Sequence, residues 1–146
     1  MKSGDETKVP SLEDQVMNEI ESIGDIDAVE AHMLTLPQVE CPVEHIFGPG
    51  IYIRQVTMPA GSTVIGHSHK IPSLNVVLSG KLALIEGGSR REIEAPYIFT
   101  SQEGRKVAYV LEECVFQNIY ATEETDLDKL EEMCVEKSTA YMEAIQ

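Results

Sequence analysis

The sequence predicts a mainly β protein, a single antiparallel β-barrel or sandwich set between helical arms. Three observations predict it. Charge divides the chain: residues 1–40 carry ten acids and two bases, residues 121–146 carry eight acids and two bases, and residues 41–120 carry seven of each. Composition divides with it: the centre holds most of the Gly, β-branched and aromatic residues, while the arms are rich in Glu, Asp, Leu and Met. The apolar period also changes, from helical spacing in the arms to alternation in the centre. At 146 residues and 42% hydrophobic content, the chain is large enough for one self-supporting core.

The arms read as helices. Residues 1–10 are expected to be a flexible acidic N-terminus and residues 11–40 a helical arm. Ser11 begins an approximate capping box with Asp14, and Leu12, Val16, Ile20 and Ile23 follow at helical spacing until Gly24. Asp25 can cap a second helix with Ile26, Val29, Met33 and Leu36 on one stripe, stopped by Pro37. At the other end, 121–146, Thr122 or Thr125 can cap a C-terminal helix running through Tyr141, with Leu127, Leu130, Met133 and Cys134 on its buried side. Acid-rich first turns suit all three helix N-termini.

Residues 41–120 read as the barrel. Ile51–Met58 alternates and ends at Pro59-Ala60-Gly61. Thr63–His69, Leu74–Leu78, Lys81–Ile85, Arg91–Glu94, Tyr97–Thr100, Lys106–Leu111 and Val115–Tyr120 follow. Turn signals at Ser79-Gly80, Gly87-Gly88, Gln102-Glu103-Gly104 and Glu112-Glu113 separate most of these strands. Many short strands with evenly spaced turns suit an antiparallel barrel or sandwich.

Composition excludes several functions. A net charge of -14 argues against a general nucleic-acid binder, which needs a basic footprint. The chain has no Trp and no aromatic RNA-binding platform. No apolar run approaches the roughly 18 residues of a membrane span, and MKSGDETKVP lacks a signal-peptide core, so a cytoplasmic protein is expected. Cys41, Cys114 and Cys134 form no CxxC pair and are expected to be reduced, mostly buried thiols.

Chemistry concentrates at His67-Ser68-His69. Two His at i and i+2 on a strand share a face, where both imidazoles can meet one metal ion. The stretch GSTVIGHSHKIPSLNVVLSG resembles the first motif of the cupin superfamily, G-x5-H-x-H-x3,4-E-x6-G, through Gly61, His67, His69 and Gly80. That resemblance implies a single cupin-type antiparallel β-barrel, a jelly roll, with N-terminal helices and a C-terminal helix. It also implies a divalent transition metal at His67 and His69. The family's glutamate has no acidic counterpart, since Ser73, Leu74 and Asn75 occupy its neighbourhood. The His of the second motif falls near Arg105 or Lys106, cations that repel a metal.

A wider resemblance runs through LPQVECPVEHIFGPGIYIRQVTMPAG, IGHSHK, LNVVLSG, EAPYIF, GRKVAYV and the Glu-rich C-terminal segment. These look like small cupin proteins encoded by tailed bacteriophages and prophages. In those relatives a third His often precedes the Leu-Asn pair, and here that position is Ser73. The resemblance implies viral origin and a host-cell or virion setting, but no activity, because a fold does not supply one.

Three readings follow. In the favoured one the barrel binds a small, anionic ligand, such as a metabolite or nucleotide signal, without catalysis. Arg54 alternates with Tyr52 and Val56 on one strand face, and a mid-strand cation must snorkel outward or meet an anion. Tyr52, Arg54, His67, His69, Asn75 and Lys106 are the expected ligand-binding residues, with no catalytic residue assigned. The opposing expectation for Arg54, Lys70, Arg105 and Lys106 is that they pair with the acidic arms and stitch helices to barrel. His45 is expected to pack on the surface or in the core, and His32 to be solvated. The second reading is a metal-dependent oxygenase or isomerase using His67 and His69. The third is a virion-assembly or host-interaction protein with the barrel as scaffold and a phage or host protein as partner. A homodimer or higher oligomer is expected because exposed sheet edges need covering.

Overall fold

The computed structural model describes residues 11–145 except Gly24 and Gln102, and leaves aside the side chain of Ile23. The expected N-terminal segment 1–10 and helix stop at Gly24 lie outside the described residues. Two helices open the described chain, α1 (Leu12–Ile23) and α2 (Ile26–Met33). Ser11 Oγ accepts from the Asp14 N–H and Asp25 Oδ1 from the Asp27 N–H, so a short polar side chain caps each helix. The buried stripe of α1 is Val16, Met17 and Ile20 rather than one starting at Leu12, which is 62% exposed. On α2, Val29 is buried, and the helix ends before Leu36, which is exposed.

Eight strands follow: β1 (Val43–Gly48), β2 (Ile51–Met58), β3 (Thr63–Ile65), β4 (Ser68–His69), β5 (Ser73–Glu86), β6 (Ser89–Glu94), β7 (Tyr97–Ser101) and β8 (Lys106–Ala121). The main sheet runs β1-β2-β8-β5-β6, with β3 also on β8 and β7 also on β5, all antiparallel. The mainly β jelly-roll barrel read from the sequence is the observed architecture.

Four details differ from the sequence reading. Strand β1, absent from that reading, is a fully exposed edge strand, so no buried alternation marks it. Thr63–His69 is two short strands, because β4 leaves the main sheet. Leu74–Leu78 and Lys81–Ile85 are one strand, as are Lys106–Leu111 and Val115–Tyr120. Ser79-Gly80 and Glu112-Glu113 are not hairpin turns. They mark the bulged stretch, between Val77 and Leu82, where β5 and β8 bend while remaining paired. Gly80 is required there, because its φ is +89° and a Cβ would lie 2.1 Å from the Glu113 carbonyl oxygen.

The fourth difference is the C-terminal helix. The residues expected to form one helix instead form α3 (Leu127–Cys134), β9 (Val135–Glu136) and α4 (Thr139–Ala144). Asp126, not Thr122 or Thr125, caps α3, accepting from the Asp128 and Lys129 N–H groups. Val135 then adopts an extended conformation, β9 pairs with β4, and Ser138 caps α4 by accepting from the Tyr141 N–H. A β-branched residue and a good N-cap in succession break the helix where apolar spacing alone would continue it.

Three packed clusters result. Val56, Leu82, Val110 and Phe116 belong to the barrel interior. Met17, Ile20 and Val29 seat α1 and α2 on Ala83, Ile85, Val107 and Tyr109, the outer face of one sheet region. Leu130 and Cys134 seat α3 on Tyr52 and Tyr120, closing the barrel mouth. Cys41, Cys114 and Cys134 are all free thiols. Among the described residues no helix is long and apolar enough to cross a membrane.

Candidate functional site

Beneath α3 the barrel holds a cavity of about 500 Å³. Alternation on β2 and β8 supplies most of its floor. Tyr52, Arg54 and Val56 point inward from β2, and Ala108, Phe116, Asn118 and Tyr120 point inward from β8. A more open cleft of about 730 Å³ lies outside the barrel, lined by the turns around Asp25, Asp27, Gly87 and Glu103, and contains none of the His residues.

His67 and His69 both line the barrel cavity. Two contacts hold this segment: β4 pairs with β9, where the Lys70 N–H donates to the Cys134 carbonyl at 2.8 Å, and a separate bridge has the His69 N–H donate to the Gly104 carbonyl at 2.7 Å. The His67 ring meets Tyr141 edge-on, with centroids 4.6 Å apart, and its buried Nδ1 has no hydrogen-bond partner. His69 Nδ1 lies 3.4 Å from the Tyr120 hydroxyl. Burial, then the charges of Lys106, Arg54 and His67, push the His69 pKa down to about 4. Burial also lowers that of His67, against the pull of Glu30. Both rings are therefore neutral imidazoles near pH 7.

The four cations divide into two pairs. Arg54 and Lys106 line the cavity. Lys106 Nζ is buried without a hydrogen-bond partner, and burial lowers its pKa against the opposing pull of Glu86. Arg105 and Lys70 serve the arms instead. Arg105 reaches Asp27 at 2.7 Å and Glu30 at 2.8 Å, and donates through Nε to the Gly66 carbonyl at 2.9 Å. Lys70 Nζ donates to the Glu132 carbonyl at 2.7 Å, tying β4 to α3.

Asn75 is fully buried but does not line the cavity. Its Oδ1 accepts from Asn118 Nδ2 at 2.6 Å and from Ser73 Oγ at 3.2 Å, while its Nδ2 donates to Ser101 Oγ. Where the cupin motif carries glutamate, this chain has a neutral amide–hydroxyl network that anchors the lumen-lining Asn118 through its Nδ2. Sequence reasoning overlooked Asn118 and Tyr120, although alternation from Phe116 would have found both. His45 also reaches the cavity, from β1 opposite Arg54, and its Nδ1 lies 2.7 Å from the Tyr52 hydroxyl. Tyr52 and Tyr120 continue this aromatic wall, with centroids 6.0 Å apart, and the exposed Phe47, outside the lining, stacks on Tyr52 at 5.3 Å.

The donor set does not fit a resident metal. Among the described residues no group of three or more His, Cys, Asp or Glu is placed to hold one. The charges that shift His69 downward, those of Lys106 and Arg54 foremost, are cationic. Arg54 and Lys106 suit an anion instead, and the aromatic wall suits a planar or apolar body.

No family model and no curated protein matches the chain. Solved structures do. KdgF from Halomonas sp. aligns at a TM-score of 0.50 with 15% identity, over 64% of this chain and 88% of that one. A cupin protein from Bacteroides fragilis aligns at 0.47 with 19% identity, over 62% and 85%. A transcriptional regulator of the HTH_3 family from Vibrio cholerae aligns at 0.47 with 21% identity, over 57% of this chain and 52% of that one, so this chain spans about half its length. At these identities the likeness is one of fold. Strand order and the alignment with KdgF agree that the chain folds as a single antiparallel jelly-roll barrel.

Proposed function

We propose that the protein binds a small anionic ligand, a carboxylate or phosphate compound, in the barrel lumen and does not transform it. One observation carries this reading. Lys106, with a buried Nζ that lacks a hydrogen-bond partner, lines the same cavity as Arg54, and neither has a carboxylate within ion-pair distance among the described residues. A buried unpaired ammonium is costly, and an incoming anion supplies what it lacks. The cavity's two carboxylates, Asp128 and Glu131, sit exposed on α3, and Glu131 is already paired with Lys137. Tyr52, His67 and His69 complete the expected contacts, and Asn118 takes the polar role first given to Asn75. A phage or prophage origin extends the reading: the ligand is then a host metabolite or nucleotide signal met in the host cytoplasm.

The test is a thermal-shift survey of carboxylates and phosphate esters against wild type, Arg54→Ala and Lys106→Met. A bound anion at a hundred times its Kd should stabilise by about 2.7 kcal/mol, a rise on the order of 5–10 °C for a chain of this size. Both variants should lose most of that rise. A flat response to every anion, beside a clear response to neutral compounds, rejects the reading.

A further inference from the structure

The lumen is divided by height. Strand β8 bends at Glu112-Glu113, and both of its halves rise from that bend as walls of the barrel. Lys106 stands six residues before Glu112 and Asn118 six residues after it, with Arg54 beside Asn118 on β2. At about 3.3 Å per residue, both cations therefore sit near one level, about 20 Å along the walls from the bend. His45 pairs in register with Arg54, and His69 feels the charge of both Lys106 and Arg54, so these polar side chains share that level.

Below it the register carries apolar rows. On one wall Arg54 and Asn118 are followed by Val56 beside Phe116, then by Met58. On the other wall Lys106 is followed by Ala108, set between Leu84 and Val64, and the row beneath holds Leu82. These side chains belong to one buried apolar cluster with Val64 packed against it, and none of them carries a nitrogen or oxygen.

From this we infer that the ligand is an amphipathic monocarboxylate, its carboxylate held at the level of Arg54 and Lys106 and its hydrocarbon body filling the apolar rows below. The inference narrows the anion reading above and rests on it. Charge limits the head to one negative unit. Arg54, Lys106 and Lys137 are the lining cations and Asp128 and Glu131 the lining carboxylates, so a single charge neutralises the set. A phosphate ester brings a second charge toward Asp128 and Glu131 on α3. A nucleotide also brings sugar hydroxyls and base edges, which lose water against rows that return no hydrogen bond. A hydrocarbon body loses nothing there, and each methylene it buries tightens binding about fourfold. The cavity of about 500 Å³ has room for the head and for a body of several carbons.

Isothermal titration of the full chain with acetate, butyrate, hexanoate and octanoate tests this, with octanol and adenosine monophosphate as contrasts. Affinity should climb about fourfold per methylene until the apolar rows are filled. Octanol, a tail of the same length without the charge, should bind at least about tenfold more weakly than octanoate. Adenosine monophosphate should also fall at least about tenfold behind. Val64→Phe fills the lumen from β3 and should weaken octanoate at least about tenfold while leaving butyrate within about twofold. Leu84→Ala deepens the lumen and should carry the climb to chains longer than the wild-type limit. The two variants move that limit in opposite directions, so either one serves should the other disturb folding. Equal affinities along the series, or adenosine monophosphate ahead of octanoate, overturns the inference and leaves the anion reading standing. Octanol matching octanoate overturns both, as does silence from every carboxylate and phosphate.

Discussion

Arg105 Nη2 lies 2.8 Å from Glu30 Oε2, joining the start of β8 to α2 through a pair whose side chains are only 10% and 4% exposed. Ser138, the N-cap of α4, donates its hydroxyl to the same carboxylate. One buried acid therefore fastens the N-terminal arm, the barrel and the C-terminal cap. Removing one partner of such a pair leaves an uncompensated charge. Arg105→Ala should destabilise by about 3–5 kcal/mol, and Glu30→Gln, which keeps the shape and some hydrogen bonding, by less. Urea titration checks this, and a loss below about 1 kcal/mol for Arg105→Ala would falsify the fastening role.

The same carboxylate sets an acid limit. Burial alone would raise the Glu30 pKa, but the bonds from Arg105 and Ser138 outweigh it and hold the group below its ordinary 4.5. A depressed acid stabilises the fold above its unfolded pKa and loses that contribution as pH falls through the folded value. His69 acts in the same direction from higher pH. With its folded pKa near 4 against 6.5, the unfolded chain binds more protons between those values, so stability falls as pH drops through that window. Unfolding midpoints should therefore decline from pH 6.5 downward. An NMR titration should place the His69 midpoint near 4 and move it upward in Lys106→Met. A midpoint at 6 or above in wild type would contradict the site's electrostatics.

The fold was legible because it rests on local pattern. Alternation from Tyr52 to Met58 and from Phe116 to Tyr120 is written in the chain, and so is the spacing of His67, His69 and Gly80. Continuity was less legible. Gly80 and the Glu112-Glu113 pair look like turns, and only the pairing of β5 with β8 shows that both strands pass through them. The break at Val135 was hidden for a related reason: β9 exists because β4 is there to receive it. The cations of the site could be named but not sorted. Nothing local distinguishes Arg105, drawn outward by Asp27 and Glu30, from its neighbour Lys106, which faces the lumen.

Gly80 offers a sharper test of the bent ladder. Gly80→Ala places a methyl group 2.1 Å from the Glu113 carbonyl oxygen, which belongs to the backbone of the paired strand and cannot simply rotate away. Gly61 has a similar φ of +82°, but nothing lies within 4 Å of its added Cβ. Gly61→Ala should therefore cost only the left-handed conformation, about 1–2 kcal/mol. Gly80→Ala should cost that amount and at least about 2 kcal/mol more. Equal losses for the two, measured by chemical denaturation, would mean that β5 and β8 do not approach each other so closely at the bulge.

Lys106 separates stability from binding. In the free protein its buried ammonium has no hydrogen-bond partner, so a methionine of similar length should remove a cost rather than a contact. Lys106→Met is expected to stabilise the free protein by about 1 kcal/mol while abolishing most of the response to anions. Arg54→Ala, at the more exposed mouth, should leave stability within about 0.5 kcal/mol and weaken the same response. The opposing signs matter, because a lysine kept only for packing would give a less stable variant. Metal supplies the contrasting arm. Protein purified without chelator should contain no stoichiometric transition metal, and His67→Ala should leave anion-induced stabilisation larger than Lys106→Met does. Metal at one equivalent per chain, lost together with anion binding in His67→Ala, would transfer the site's chemistry from the cations to the imidazole pair.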